Sequence, residues 1–165
     1  MTGTFRTYRP AISQNPTTRN PTAQNPTADD LESPEEKLAL ALGPALRWQL
    51  WLFFPPNAVG WGGAAMPCDD LPRRPPPDAA DTLFAVIDAV ARRAAAGELI
   101  LGLERRGGPD PGRIDREWMR AVADAADRAG VRLRSVLISH TRGVREHEPL
   151  APTLSSTSMP GCDDC

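Results

Sequence analysis

The residues best suited to chemistry lie in one Gly- and Pro-rich loop, which we place at residues 104–115. Two adjacent arginines, Arg105 and Arg106, are followed there by Gly107 and Gly108. Guanidinium groups beside flexible backbone amides suit a phosphate or a carboxylate. These four residues therefore form a candidate anion-binding loop. We favour the other interpretation, an ordinary solvated surface loop in which Glu104 and Asp110 neutralise the arginines.

Three cysteines form the next candidate group. Cys162 and Cys165 have the two-residue spacing of half a zinc site, and Cys68 supplies a third thiol. Two such pairs would be needed to define a site, so we predict no bound metal or other cofactor, with these thiols as the weak metal candidates. An odd cysteine count without an export signal predicts reduced thiols and a cytoplasmic protein.

Other catalytic arrangements find little support in the sequence. Ser139 and His140 are adjacent in a predicted strand, where successive side chains point to opposite faces, so they cannot act as nucleophile and base. The chain has no Gly-x-Ser-x-Gly elbow and no phosphate-binding Gly/Lys loop, because Lys37 is its single lysine.

Two helices and two strands must position the 104–115 loop. Apolar residues at three- and four-residue steps predict helices over 78–96 and 114–129. Continuous or alternating apolar runs predict strands over 99–103 and 131–140. This order predicts an α/β sandwich of two or three layers with a small mixed sheet, in which a right-handed crossover joins two parallel strands.

The segment before these elements is less regular. Ser33, Pro34 and Glu36 predict a capped helix that ends at Leu42. The run 46–54 fits either a strand or a helix, and we favour a strand because two prolines close it.

A Pro/Gly-rich connector follows at 55–77, and it either contains a short strand near 58–61 or is partly mobile. The aromatic residues of the preceding run form either an exposed docking patch or, as we favour, part of the core: Trp48, Trp51, Phe53 and Phe54.

The order of elements over 81–139 resembles the JAB (MPN) domain of the RadC type. That family has a helix, then a hydrophobic strand ending in a His-x-His-Pro-Ser-Gly loop, then a Pro-rich stretch with a metal-binding Asp, an amphipathic helix, a Gly and a second strand. Gly108 falls on the loop glycine of the family, and Asp115 falls within one residue of its aspartate. The resemblance implies a JAB/RadC-like sheet of cytidine-deaminase-like topology.

The chain departs from that family at the metal ligands. The two metal-binding histidines correspond to Leu103 and Arg105, and the serine of the loop corresponds to Gly107. Leucine cannot ligate zinc, and a permanently charged guanidinium repels a cation. Asp115 is the candidate residual family aspartate, and an Asp at the start of a helix is usually a cap. The resemblance therefore implies a degenerate, non-catalytic binding or assembly domain with an unknown protein partner. The alternative is a hydrolase or nuclease that acts on an anionic substrate through the 104–115 loop.

Composition sets the remaining bounds. The net charge is −2 and the pI is near 5.7, which disfavours a nucleic-acid partner but leaves it open. The sequence lacks an apolar run long enough for a membrane span. Repeated Asn-Pro-Thr units predict a disordered leader over 1–32, and Ser, Thr and Pro predict a disordered tail over 149–165. One ordered domain is expected between them, over 33–148.

Overall fold

The computed structural model describes residues 33–58 and 62–150. The Asn-Pro-Thr leader, and with it the expected disorder of 1–32, lies outside the described residues, as does the tail from residue 151 onward. Of the residues assigned to the tail, Leu150 packs against the core.

A five-stranded mixed sheet forms the centre of the fold, and three helices cover it. In chain order the elements are α1 (Pro34–Leu42), β1 (Gln49–Phe54), β2 (Ala64–Cys68), α2 (Ala79–Ala94), β3 (Glu98–Glu104), α3 (Arg113–Arg128), β4 (Arg132–His140) and β5 (Gly143–His147). The order across the sheet is β2-β1-β3-β4-β5, so β2 and β5 are its edges. Strands β3 and β4 are parallel, and the other neighbours are antiparallel. The predicted α/β class and mixed sheet are confirmed.

The core lies mainly on the side of the sheet that α2 and α3 cover. Alternate residues of the three central strands face these helices, as in the row Leu50, Leu103 and Ile138 across β1, β3 and β4. Helix α1 packs on the opposite face, where Leu38 meets Ile100 and Leu137. The chain therefore forms three layers, because both faces of β3 and β4 are apolar and each needs a cover.

The predicted start of α1 is confirmed, whereas the end of α2 differs from the prediction. The Ser33 side chain accepts from the Glu36 backbone, and the Glu36 carboxylate accepts from the Ser33 backbone, so α1 begins with the predicted capping box. Helix α2 ends earlier than predicted, because Ala95 takes the left-handed conformation usually given to glycine. Asn57 supports this end by donating to the carbonyls of Ala94 and Ala95.

Two strands differ from the sequence-based expectation. The strand in the connector is β2, which begins at Ala64 rather than near 58, and residues 59–61 lie outside the described residues. Strand β5 was not expected, since its five residues carry little apolar alternation. It forms because the turn at 141–142 folds the chain back antiparallel to the end of β4. The favoured strand assignment of 46–54 is confirmed for Gln49–Phe54.

Candidate functional site

The 104–115 loop leaves the sheet at the carboxyl end of β3, beside the carboxyl end of its parallel neighbour β4. This edge is where open α/β sheets usually place their binding crevices, because the chain there turns away from the sheet into loops. The Arg105 N–H donates to the Ser139 carbonyl, which carries the pairing of the two strands one step into the loop.

The Arg105 side chain holds this loop together through contacts with three of its residues. Its Nε lies 2.8 Å from Oδ2 of Asp115, and both side chains are buried, at 11% and 6% exposure. Nη1 donates to the Gly108 carbonyl and Nη2 to the Asp110 carbonyl. The guanidinium therefore organises both the backbone of the loop and the start of α3, since each of its nitrogens has an acceptor within the loop.

Asp115 acts as the cap that a carboxylate at this position favours. Its Oδ2 accepts from the Gly112 N–H at 2.7 Å, at the first turn of α3. A negative charge there also interacts well with the positive end of the helix dipole. The carboxylate is thus shared between a backbone amide and the Arg105 guanidinium.

Gly107 and Gly108 have different roles in the loop. Gly107 adopts φ of +125°, and a Cβ built on it would lie 3.3 Å from Arg105 Nη1. Its N–H donates to Thr141 Oγ1, which connects the loop to the β4–β5 turn. Gly108 contributes its carbonyl to Arg105 and has open space where a side chain would be. A glycine at 107 therefore allows both the turn and the position of the guanidinium.

Two side chains of strand β5 contact the far side of the loop. Arg145 Nη1 lies 3.0 Å from Asp110 Oδ1, and His147 Nε2 lies 3.0 Å from the Pro109 carbonyl oxygen. The sequence did not indicate this contact, because the strand that carries His147 was not predicted.

Two adjoining cavities open beside the loop. The larger, of about 500 Å³, is lined by Trp48, Arg73, Arg74, Arg105, Gly108, Asp110, Gly112, Arg113, Ile114 and Asp115. The smaller, of about 330 Å³, is lined by Arg47, Trp48, Arg73 and Arg106. Trp48 and Arg73 border both, and we call the combined depression the Trp48 groove. Its arginines come from three separate segments, so no local pattern in the sequence could have indicated it.

The four residues of the predicted anion-binding loop are thus placed differently. Arg105 is engaged within the loop, whereas Arg106 is exposed and lines the smaller cavity with Arg73. Whether the loop binds an anion stays a prediction.

The aromatic cluster of β1 divides between core and surface. Phe54 is fully buried, while Trp48, Trp51 and Phe53 are partly exposed. The Trp48 ring lies 6.4 Å from that of the buried Trp118, and the indole N–H of Trp48 has no acceptor among the described residues.

The thiol candidates are not brought into a described cluster. Cys68 is free and partly buried on β2, and burial, with a smaller contribution from Asp69, raises its pKa to about 11. Cys162 and Cys165 lie outside the described residues. Within residues 33–58 and 62–150, no group of three His, Cys, Asp or Glu side chains is arranged to hold a metal ion. In the same ranges no helix is long and apolar enough to cross a membrane.

Ser139 and His140 have separate structural contacts. The Ser139 hydroxyl is buried and donates to the Gly43 carbonyl at 2.7 Å, which holds the end of α1 against β4. His140 Nδ1 accepts from the Arg142 N–H in the β4–β5 turn. The two side chains therefore serve different parts of the fold.

Comparison of the chain with protein-family models, with curated proteins and with solved structures finds no match. The function must therefore be argued from the site itself.

Proposed function

We propose that this chain is a non-catalytic binding or assembly domain, a degenerate relative of the RadC-type JAB domains, that acts on a protein partner. The observation that carries the proposal is the buried ion pair between Arg105 and Asp115. It stands where the resembled family would place a metal ligand beside its aspartate.

The side chains at this place do not suit a divalent cation. Leu103 is fully buried in the apolar core and offers no lone pair, and the Arg105 guanidinium carries its own positive charge. Of these three side chains, Asp115 is the one that offers an oxygen donor, and its carboxylate pairs with that guanidinium at 2.8 Å. A zinc hydrolase needs about three protein ligands and an open position for water, which these residues do not provide.

The surrounding architecture is compatible with the resemblance. Helix α2 precedes β3, the loop follows it, and α3 packs against a mixed sheet before leading into β4. In this interpretation the guanidinium supplies the positive charge that keeps the loop ordered, and the chemistry of the metal is lost. The loop then serves as a rigid surface for binding.

Zinc content tests the proposal directly. The full chain with Cys162→Ser and Cys165→Ser, which removes the tail thiols, is equilibrated with zinc and the metal-to-protein ratio is measured. We expect a ratio far below one that Asp115→Asn does not change. A ratio near one that Asp115→Asn abolishes would overturn the proposal.

A gain-of-function variant sharpens this test. Leu103→His combined with Arg105→His returns two imidazoles beside Asp115, and we expect it to bind zinc where the matched pair Leu103→His and Arg106→His does not. Circular dichroism confirms that each variant is folded. A folded variant with both imidazoles that fails to bind zinc would contradict the family relationship.

The hydrolase or nuclease alternative is decided by an activity assay on the same protein. We expect no turnover of phosphoester or peptide substrates. Turnover that is lost when Arg105 and Arg106 are both replaced by alanine, in a variant that circular dichroism shows to be folded, would replace the binding function with a catalytic one.

A further inference from the structure

We propose that the Trp48 groove binds a nucleotide, that is, a planar aromatic base carrying a phosphate monoester. The assignment goes beyond the proposed protein-binding function and adds a small-molecule ligand at the same edge of the sheet.

The first argument is the uncompensated positive charge in the groove. The side chains of Arg73 and Arg106 are exposed, and neither makes an ion pair or a side-chain hydrogen bond within residues 33–58 and 62–150. Arg74 and Arg113 share the single carboxylate of Glu117, at 3.1 and 3.2 Å. The six arginines that line the two cavities outnumber the two aspartates that line them, Asp110 and Asp115. Guanidinium groups that face a cavity without carboxylate partners favour an anion there.

The second argument is the aromatic surface between these cations. Trp48 lines both cavities. Its ring centroid also lies 6.4 Å from that of Trp118, and the two ring planes are tilted by 44°. The indole N–H of Trp48 has no acceptor among the described residues, although it is shielded from solvent. The N–H is therefore not the point of contact for a ligand, and the part of Trp48 that lines the cavities is its ring. Stacking on a tryptophan face contributes to base binding without regard to sequence.

The third argument concerns the size of the ligand. A cavity of about 500 Å³ lies within the range of small-molecule sites. Arg73 and Arg106, which have no ion-pair partner among the described residues, match the charge of about −2 that a phosphate monoester carries near neutral pH. A polynucleotide would require a longer basic track, and the pI of 5.7 gives no long-range attraction for one. An acidic peptide would leave the tryptophan face without a planar partner.

Calorimetric titration of the full chain with adenosine monophosphate tests this proposal. Adenosine alone and inorganic phosphate alone serve as the two half-ligands, and a ten-nucleotide single strand serves as the polymer. We expect the nucleotide to bind at least about tenfold more tightly than either half-ligand, because it engages both the ring and the cations.

Matched substitutions locate the site. Arg73→Gln and Arg106→Gln should each weaken nucleotide binding by about tenfold. Arg93→Gln and Arg120→Gln change the net charge equally on α2 and α3, outside the residues that line the groove, and should leave binding unchanged. Trp48→Leu should weaken the nucleotide about tenfold while leaving the affinity for phosphate within about twofold.

Three results would overturn the assignment. The first is nucleotide affinity no higher than that of phosphate. The second is an equal loss in the Arg93→Gln and Arg120→Gln controls. The third is a decamer that binds far more tightly than the mononucleotide, with affinity rising with length, which would identify a polynucleotide site. None of them alters the zinc measurements, so failure of this ligand is distinguishable from failure of the proposed function.

Discussion

The two ends of the parallel pair β3 and β4 both carry charged clusters, and they are built in opposite ways. At the amino end, Glu98 and Glu35 pair with Arg132 and Arg134, two acids with two bases. At the carboxyl end, arginines outnumber the carboxylates and line an open groove.

Burial also differs between the Arg132–Glu98 pair at one end and the Arg105–Asp115 pair at the other. The Arg132 side chain is 71% exposed, so water screens its pairing with Glu98. The Arg105 side chain is 11% exposed and fixes the loop from within. The amino end therefore has a charge-balanced cluster, in which Arg132 is solvated and Glu35 is buried beside Arg134. The carboxyl end combines one buried structural pair with two arginines, Arg73 and Arg106, that have no ion-pair partner among the described residues. This comparison indicates that binding should be sought at the carboxyl end.

The largest expected effect follows from removal of the buried ion pair between Arg105 and Asp115. Arg105→Ala should lower the free energy of unfolding by about 3 kcal/mol, because it leaves the Asp115 carboxylate buried without its cation. Urea unfolding measures the change. The double variant Arg105→Ala and Asp115→Ala should lose much less free energy of unfolding than the two single variants lose in sum. Strict additivity would show that the pair is not coupled.

A smaller loss is expected from the glycine that accommodates this arginine. Gly107→Ala should destabilise the chain by about 2 kcal/mol, because φ is +125° there and the new Cβ would lie 3.3 Å from Arg105 Nη1. Gly108→Ala is the matched control. It meets open space and should change stability by less than about 0.5 kcal/mol. Equal thermal stability of the two variants would refute this account of the loop.

At the amino end the same kind of substitution should matter little. Arg132→Ala should change the free energy of unfolding by less than about 0.5 kcal/mol, since the pair with Glu98 is exposed. Any remaining effect should shrink at about 1 M salt, where the screening length is about 3 Å. A loss as large as that of Arg105→Ala would remove the distinction between the two ends.

The smallest effect is a pH dependence at the amino end. Hydrogen bonding from Arg132, then from Arg134, lowers the pKa of Glu98 against the opposing effect of burial. Stability from this group is therefore fully present above the ordinary carboxyl pKa and is lost as pH falls through the lowered value. Glu98→Gln should flatten that part of the acid unfolding profile slightly. An unchanged profile would show that the pairing contributes nothing to folding.

The elements that could be predicted are those with local causes. The capping box of Ser33 and Glu36 and the apolar stripe of Trp118, Val122 and Ala125 depend on residues a few positions apart. The left-handed Ala95 was missed because alanine gives no signal for it, and Asn57, which supports that helix end, is distant in sequence.

The candidate site was predictable only in part, for the same reason. The capping role of Asp115 follows from its place at the start of a helix, and it is confirmed. The groove depends on Trp48, Arg73 and Arg106 meeting from different segments, which pattern alone cannot indicate.

Pro67 in the edge strand β2 has a consequence for how the chain behaves at high concentration. The residue pairs with Trp51 of β1 and has no N–H to offer. An incoming strand from another molecule would therefore find an interrupted row of donors along this five-residue edge. At the opposite edge, Arg145 and Glu146 are exposed charges on β5, which also disfavour pairing with an incoming strand. Both edges of the sheet thus carry residues that disfavour edge-to-edge pairing between molecules.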